Sequence, residues 1–229
     1  MINPMIESNI VDELMQSPEA PIIASELQHR LHKEQEKRQA FYDSLSAEEH
    51  KIEFINGEVV VQSPVRRRHG LISGNIYSMI RTFVIKNGLG EVFFEKAMIR
   101  LTRNDYEPDV CYFDAQQVAG FDEDTSLFPA PRLVVEVLSP KTEARDRGIK
   151  FQDYAYHAIP EYWIVDPAEQ TLEQYVLQED TRSYQLHKKS DNGEVEVQVL
   201  PGLRLPIPAF FEEREAQEVV GRLLTAARK

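Results

Sequence analysis

The chain has 229 residues, of which 42% are hydrophobic and 28% are charged, so it is long enough for one large domain with a sizeable core. Its formal net charge of −12 argues against a general nucleic-acid coat protein, and no apolar run approaches the roughly 20 residues that span a bilayer. The single cysteine, Cys111, excludes an intrachain disulfide framework and, with a first stretch that lacks a signal-peptide pattern, predicts a cytoplasmic protein without a membrane span.

Residues 1–48 predict a helical N-terminal arm, and residues 49–229 predict the main domain. The stretch ELQHRLHKEQEKRQAFYDSL is polar and charged, but Leu27, Leu31 and Phe41 recur at spacings that could form one apolar stripe. Such a stripe could pack on the domain itself or on a second subunit.

A hairpin followed by a long helix is predicted to open the main domain. Two alternating segments in KIEFINGEVVVQS flank Asn56-Gly57, and both central residues of a type I′ turn need positive φ. RRRHGLISGNIYSMIRTFVIKNG then carries apolar residues at helical spacing up to Gly88, which stands where a C-terminal cap belongs. Strands are predicted to follow around 91–95, 97–101 and 109–113.

The segment LVVEVLSPKTEARDRGIK, residues 133–150, contains the most strand-like run of the chain and the start of a helix. A strand is predicted over 132–138, and a helix over roughly 143–158 with Thr142 as its N-cap. Pro160 ends that helix, EYWIVD forms the next strand, and alternating segments followed by a short helix complete the chain. This order predicts an α/β domain with a mixed β-sheet flanked by helices.

Glu136 interrupts that strand-like run. Apolar residues alternate on both faces around it, so the strand is predicted to be covered on both sides, where an unpaired carboxylate would cost roughly several kcal/mol. A buried ion pair with Lys or Arg could satisfy Glu136, and so could a divalent metal. A metal needs a further oxygen ligand, which Asp109 could supply from the start of a neighbouring strand. Two such carboxylates would suit Mg²⁺ or Mn²⁺.

Positive charge is concentrated around these acidic residues. Residues 61–150 hold 13 basic and 12 acidic side chains, whereas residues 1–60 and 151–229 have balances of −7 (5 against 12) and −6 (8 against 14). The candidates for contact with a nucleic-acid backbone are Arg66, Arg67, Arg68, His69, Lys141 and Arg145. The plain alternative is a solvated surface without a partner.

The order of the motifs resembles one known family. The segments IEFINGEVV, SP…RRRHG, EPDVCYFD, LVVEVLSPKTEARDRGIKFQDYA and IPEYWIVDP follow one another as in the Uma-two family of restriction-endonuclease-like proteins. Within them, Pro108-Asp109 followed by Glu136 resembles the PD-(D/E)XK nuclease signature. The resemblance covers roughly residues 50–211 and implies a restriction-endonuclease-like fold with the helical arm as an extension.

The resemblance also implies which residues carry the chemistry. Asp109 and Glu136 match the family's metal-binding carboxylates, for Mg²⁺ or Mn²⁺, and the carbonyl of Val137 is expected to add a ligand. Where the general motif has its Lys this chain has Leu138, which cannot stabilise charge or orient water. Lys150, in the following helix, matches the position from which the family is thought to replace that lysine.

Further residues are expected to support this site. Asp146 precedes Lys150 by four residues and Tyr154 follows it by four, so the three could share one helix face. Glu53 and Glu58 match acidic positions on either side of the family's hairpin turn, and we expect Glu53 to complete the set of metal ligands.

The function implied by the resemblance is a metal-dependent endonuclease that hydrolyses phosphodiester bonds, with DNA favoured over RNA. His69 matches the family's histidine and could contact phosphate or assist proton transfer. The alternative is a catalytically inactive module with the nuclease fold that binds DNA or a protein partner, which the acidic net charge and Leu138 favour. A homodimer is expected because nucleases that cut both strands commonly pair.

Overall fold

The computed structural model describes residues 4–45, 51–62, 64–178 and 180–227. The helices are α1 (Pro4–Met15), α2 (Ala20–Ser44), α3 (Arg67–Asn87), α4 (Ala115–Val118), α5 (Glu143–Asp146), α6 (Ile149–Tyr156) and α7 (Glu213–Thr225), with a 3-10 helix at Ile207–Phe210. The strands are β1 (Ile52–Ile55), β2 (Glu58–Val61), β3 (Gly90–Phe94), β4 (Met98–Arg100), β5 (Asp105–Tyr106), β6 (Val110–Asp114), β7 (Leu127–Phe128), β8 (Leu133–Val137), β9 (Glu161–Asp166), β10 (Thr171–Gln178), β11 (Ser183–Ser190), β12 (Glu194–Glu196) and β13 (Arg204–Pro206).

A mixed sheet forms the centre of the domain. In the described part of the chain its order is β11-β10-β9-β8-β6-β3, with β8 and β9 parallel and the other neighbours antiparallel. The segment EYWIVD forms β9, as its apolar run predicts. The predicted α/β class with a mixed sheet and helices around it is therefore confirmed.

Both faces of this sheet are covered, and every residue of β8 is buried. Val135 and Trp163 lie on the face that packs against Ile76 of α3 and against the 3-10 helix. Val134, on the other face, packs in a cluster with Tyr106 of β5 and residues of β4 and α6. Glu136 alternates with Val135 and so faces this second side.

A second sheet, of order β2-β1-β5-β4-β7 in the described residues, covers part of that second face. Its β1–β2 hairpin turns at Asn56 and Gly57, whose φ angles of 51° and 79° confirm the predicted turn with two positive values. The hairpin carries Glu53 on β1 with its side chain fully buried. β5 and β7, at two residues each, are too short for a periodic pattern to predict them.

The C-terminal half of α2 packs on the domain. Phe41 is buried with Phe54 of β1, and Arg38 donates from Nε and Nη2 to both oxygens of the buried Asp105 at 2.7 and 2.6 Å. The domain does not cover the first half, where Leu27 is 55% exposed. Of the three residues of the predicted stripe, only Phe41 packs on the domain.

The predicted continuous helix over 143–158 is wrong, because the chain breaks it into α5 and α6 around Gly148. Gly148 has φ −110° and ψ −102°, and a Cβ there would lie 2.6 Å from the carbonyl oxygen of Ala144. Thr142 does stand at the N-cap of α5, but its hydroxyl lies 3.0 Å from the hydroxyl of Ser139 and caps no helix N–H.

None of the helices in the described part of the chain combines the length and the apolar character that a membrane-spanning helix needs.

Candidate active site

Lys150 lies at the centre of a buried group of carboxylates. Its Nζ atom is 2.7 Å from Glu53 Oε1, 2.9 Å from Glu136 Oε1 and 3.4 Å from Asp146 Oδ1. Tyr154 donates its hydroxyl hydrogen to the same Glu136 oxygen at 2.9 Å. These five side chains come from β1, β8, α5 and α6, and each is at most 3% exposed. The break at the start of α6 therefore still leaves Asp146, Lys150 and Tyr154 around Glu136.

Asp109 forms the adjoining part of the site. Its Oδ1 atom is 2.7 Å from Lys51 Nζ and 3.1 Å from His69 Nε2. Its Oδ2 atom accepts a hydrogen bond from the backbone N–H of Val137 at 2.7 Å. Asp109 immediately precedes β6, and the antiparallel register of β6 with β8 continues to place it opposite Glu136. The two acidic residues singled out from the sequence therefore lie on neighbouring strands, as predicted.

The carboxylates respond differently to burial. Burial raises the pKa of Glu136 to about 8; Asp146 and Asp109 add to the rise, and Lys150 opposes it. Burial also raises the pKa of Asp146 above its usual value. Burial would also raise the pKa of Asp109, but the charge of Lys51 and the hydrogen bond from the His69 side chain outweigh burial and lower that pKa. Asp109 is therefore ionised at neutral pH, whereas Glu136 carries a proton part of the time.

The cations of the site hold their protons tightly. Burial alone would lower the pKa of Lys150 and of Lys51, but the carboxylates around each raise it above the usual lysine value. The pKa of His69 is also raised, because its hydrogen bond to Asp109 and the charge of Asp109 outweigh the effect of burial. Both lysines are therefore charged at neutral pH.

The buried charges leave an excess of negative charge. The charged side chains here are Lys51, Lys150, Glu53, Asp109, Glu136 and Asp146. When all six are ionised, the charges of the two lysines and four carboxylates sum to −2. Within the described residues, Glu53 Oε2 is buried without a hydrogen-bond partner, and Asp146 Oδ1 contacts Lys150 Nζ at 3.4 Å but accepts no hydrogen bond. The unpaired Glu53 oxygen and the excess of carboxylates over lysines fit a divalent cation that prefers oxygen ligands.

A cleft of about 430 Å³ opens beside Asp109. Its walls come from the chain between β2 and α3, from the loop after β8 and from the loop after β9. The basic residues that line it are Lys51, Arg66, Arg68, His69, Lys141 and Arg145, against the acidic Asp109, Glu143 and Asp166. Glu136 and Lys150 are not among the lining residues, so they lie behind the wall of this cleft.

Two of the residues singled out from the sequence lie elsewhere. The side chain of Glu58 is 77% exposed and pairs with Lys37 of α2 at 3.2 Å, away from the carboxylate cluster. Arg67 is exposed and does not line the cleft, unlike the arginines on either side of it. Of the two glutamates of the hairpin, the fold brings only Glu53 into the cluster. Cys111 is buried among apolar residues.

Sequence reasoning missed two residues of the site. Lys51 precedes β1 and reaches Asp109; its position two residues before Glu53, on the same side of an alternating segment, was a usable signal. Glu95 lies in the turn between β3 and β4, and one of its oxygens lies within 4.8 Å of ligand atoms of His69 and Asp109. No local pattern marks Glu95, because only the pairing of β3 with β6 brings it there.

Comparison with known proteins supports a nuclease relationship. The family model described as "Uma2: Putative restriction endonuclease" matches residues 38–208. The uncharacterized protein slr1290 of Synechocystis sp. is 29% identical over 147 residues, which make up 63% of this chain and 69% of that protein. The crystal structure of a putative nuclease belonging to DUF820 from Anabaena variabilis has a similar fold, with a TM-score of 0.60 and 22% identity over 70% of this chain and 89% of that chain.

Proposed function

Because the chain belongs to the Uma2 family of restriction-endonuclease-like proteins, we propose that it is a metal-dependent endonuclease that hydrolyses phosphodiester bonds of DNA. The observation that carries the proposal is the position of Asp109 at the edge of a basic cleft, with Glu136 on the neighbouring strand behind it. The family assignment supports the nuclease class, and the chemistry of these residues supports the metal and the substrate.

The metal ligands in this proposal are Asp109, Glu136 and the carbonyl oxygen of Val137, with Glu53 close by. Hard oxygen donors of this kind suit Mg²⁺ or Mn²⁺. When bound, such an ion polarises the scissile phosphate and lowers the pKa of a bound water. The backbone N–H of Val137, which donates to Asp109 Oδ2, fixes the orientation of that carboxylate.

Two lysines have different roles in the proposal. Lys150 is 1% exposed and bonded to Glu53 and Glu136, so it holds those carboxylates in place and balances their charge. Lys51 contacts Asp109 and lines the cleft, so its ammonium group can face a phosphate and stabilise charge that gathers on it during hydrolysis. In this proposal two lysines would share the role of the lysine that the motif lacks at Leu138: Lys150 beside the carboxylates and Lys51 at the cleft.

The walls of the cleft provide the proposed path for DNA. Arg66, Arg68, His69, Lys141 and Arg145 line the walls and suit contacts with phosphate oxygens. A matched pair tests this path, because Arg68 lines the cleft and Arg67 is exposed outside it. Arg68→Ala should weaken DNA binding and reduce the slope of log affinity against log salt concentration by about one, whereas Arg67→Ala should not. Equal effects of the two substitutions would refute this path.

Cleavage of supercoiled and single-stranded DNA in Mg²⁺ or Mn²⁺ tests the proposed activity. Asp109→Ala and Glu53→Gln should each reduce cleavage at least 100-fold, because both remove a carboxylate oxygen from the ion's surroundings. Glu58→Gln is the matched control for Glu53→Gln, since it makes the same change on the same hairpin at an exposed position. Cleavage that survives in Asp109→Ala would refute the assignment.

A second candidate function is a DNA-binding module that keeps the fold and has lost the chemistry. The specific observation in its favour is that Leu138 occupies the motif's lysine position while Lys150 is sealed away from the cleft. This alternative predicts salt-dependent DNA binding through Arg68, without cleavage in either metal, and with affinity unaffected by Glu53→Gln.

We also propose that the arm joins two copies of the chain. Ile23, Leu27 and Leu31 are 37%, 55% and 41% exposed, and their four-residue spacing places them along one face of α2. Two antiparallel arms would bury these three apolar side chains against each other.

Sedimentation equilibrium of the full chain tests this dimer. Leu27→Lys should raise the dissociation constant at least 100-fold, because it places a charge in the apolar contact. Ser25→Lys, on the opposite face of the same helix, is the matched control and should leave the constant within about threefold. A chain that is monomeric at all concentrations, or equal effects of the two changes, would refute the arm as the interface.

A further inference from the structure

We infer that His69, Glu95 and Asp109 form a second metal position, beside the cleft that His69 and Asp109 line. One ligand atom from each of the three lies within 4.8 Å of the others, which is close enough for one ion to contact all three. Glu136 and Lys150 lie behind the cleft wall and are not part of this group. The inference deepens the proposed nuclease function and rests on it only for what the bound ion does.

Three separate elements deliver these ligands. His69 lies in the first turn of α3, with its Nε2 atom 3.1 Å from Asp109 Oδ1. Glu95 follows β3, and its backbone N–H donates to the carbonyl oxygen of Asp109 at 3.0 Å. The chain that carries Glu95 is therefore bonded directly to the chain that carries Asp109. The arrangement depends on strand pairing and a helix start, not on one flexible loop.

The surroundings allow an ion to reach this position. His69 and Asp109 both line the cleft, so the position opens towards solvent and towards a bound phosphate. Lys51 contacts Asp109 Oδ1 at 2.7 Å and must move aside or share that oxygen. The Lys51 side chain is 11% exposed and also lines the cleft, so it has solvent to move into.

The donor set separates this position from the one next to Glu136. An imidazole nitrogen with two carboxylates suits Mn²⁺ and later transition ions better than Mg²⁺, which prefers oxygen ligands and keeps its waters. Asp109, Glu136 and the Val137 carbonyl form an all-oxygen set. A chain with both positions should bind Mn²⁺ more tightly than Mg²⁺, and the difference should depend on His69.

Titration of the whole protein with MnCl₂ tests the inference, with bound ion measured by calorimetry and by loss of the free Mn²⁺ electron paramagnetic resonance signal. Glu95→Gln and His69→Gln should each weaken Mn²⁺ binding at least tenfold. The matched control is Glu91→Gln, which makes the same change at an exposed position on β3 and should bind as the unaltered protein does. Circular dichroism of each variant excludes misfolding as the cause of a loss.

Pulsed electron paramagnetic resonance identifies the ligand directly. The Mn²⁺ complex should show a ¹⁴N coupling from a directly bound imidazole, and His69→Gln should remove it. If Glu95→Gln binds Mn²⁺ as Glu91→Gln does, or if no nitrogen coupling is present, the inference is overturned. Both readouts concern binding alone, so Mn²⁺ bound through nitrogen without DNA cleavage would reject the proposed activity and retain this site.

Discussion

The strongest test of the site is the removal of the ammonium group that three buried carboxylates share. Lys150→Met keeps a long apolar stem but leaves Glu53, Glu136 and Asp146 without the cation that each now contacts at 2.7 to 3.4 Å. Such carboxylates must either lose solvation without compensation or bind protons from solution. Both alternatives reduce the free energy of unfolding.

The expected loss follows from comparable buried pairs. Removing one partner of a buried ion pair costs about 3–5 kcal/mol, which is a large part of the roughly 5–15 kcal/mol that stabilises an ordinary domain. Because the carboxylates of the variant can bind protons, the loss should be smaller near pH 5 and larger near pH 8. At about 2–4 °C per kcal/mol for a chain of this size, the melting temperature should fall by roughly 10 °C.

Urea unfolding in EDTA measures the loss, with Lys33→Met on the exposed face of α2 as the matched control. Mn²⁺ should restore more stability to Lys150→Met than to the unaltered chain, because a divalent ion can take over the lost positive charge. A loss below about 1 kcal/mol at pH 8 would refute the reasoning, since the carboxylates would then not depend on Lys150 for their charge balance.

Three further predictions concern pH, the arm and one glycine. Burial raises the pKa of Glu136 to about 8, whereas the usual value is 4.5. Between these two pH values the folded state keeps a proton that the unfolded state has released, so the free energy of unfolding falls as pH rises. Relative to Glu136→Gln, the unaltered chain should lose at most about 1.4 kcal/mol of stability per pH unit over that range. Parallel curves from urea unfolding across that range would contradict this. Arg38→Ala should cost about 3 kcal/mol, because it leaves the fully buried Asp105 without its cation, and limited proteolysis should then cut α2 first. Gly90→Ala should cost about 3 kcal/mol, because φ is 129° and a Cβ would lie 2.1 Å from a carbonyl oxygen of β6, whereas Gly74→Ala, with no atom within 4 Å, should be neutral or stabilising in thermal unfolding.

Features fixed by a few neighbouring residues were predictable from the sequence. Asn56-Gly57 specifies its turn because both residues tolerate positive φ, and Gly88 ends α3 with φ 64° for the same reason. The central strand around Glu136 was predictable because an apolar run on both faces needs cover on both sides. In each case the signal lies within a few neighbouring residues of the sequence.

Features decided by distant contacts were not predictable in this way. The helical pattern after Thr142 gave no sign that the chain would turn at Gly148, since glycine lowers helix stability without forbidding a helix. Glu53 and Glu58 are equally acidic and flank the same turn, yet Glu53 is buried on β1, between β2 and β5, whereas Glu58 lies in solvent on the edge strand β2. Glu95 joins the site only through the pairing of β3 with β6.

The proposed replacement of the motif's lysine has a geometric explanation. Leu138 lies two residues after Glu136, and a lysine there would start about 7 Å along the strand on the same face. Here an ammonium group reaches Glu136 from α6 instead, and Leu138 packs in the apolar cluster on that face. A lysine on α6 lies behind the wall of the cleft, so it can balance the charge of the carboxylates but cannot contact a phosphate. Lys51 can meet one, which is why the proposed catalysis needs both lysines where the general motif uses one.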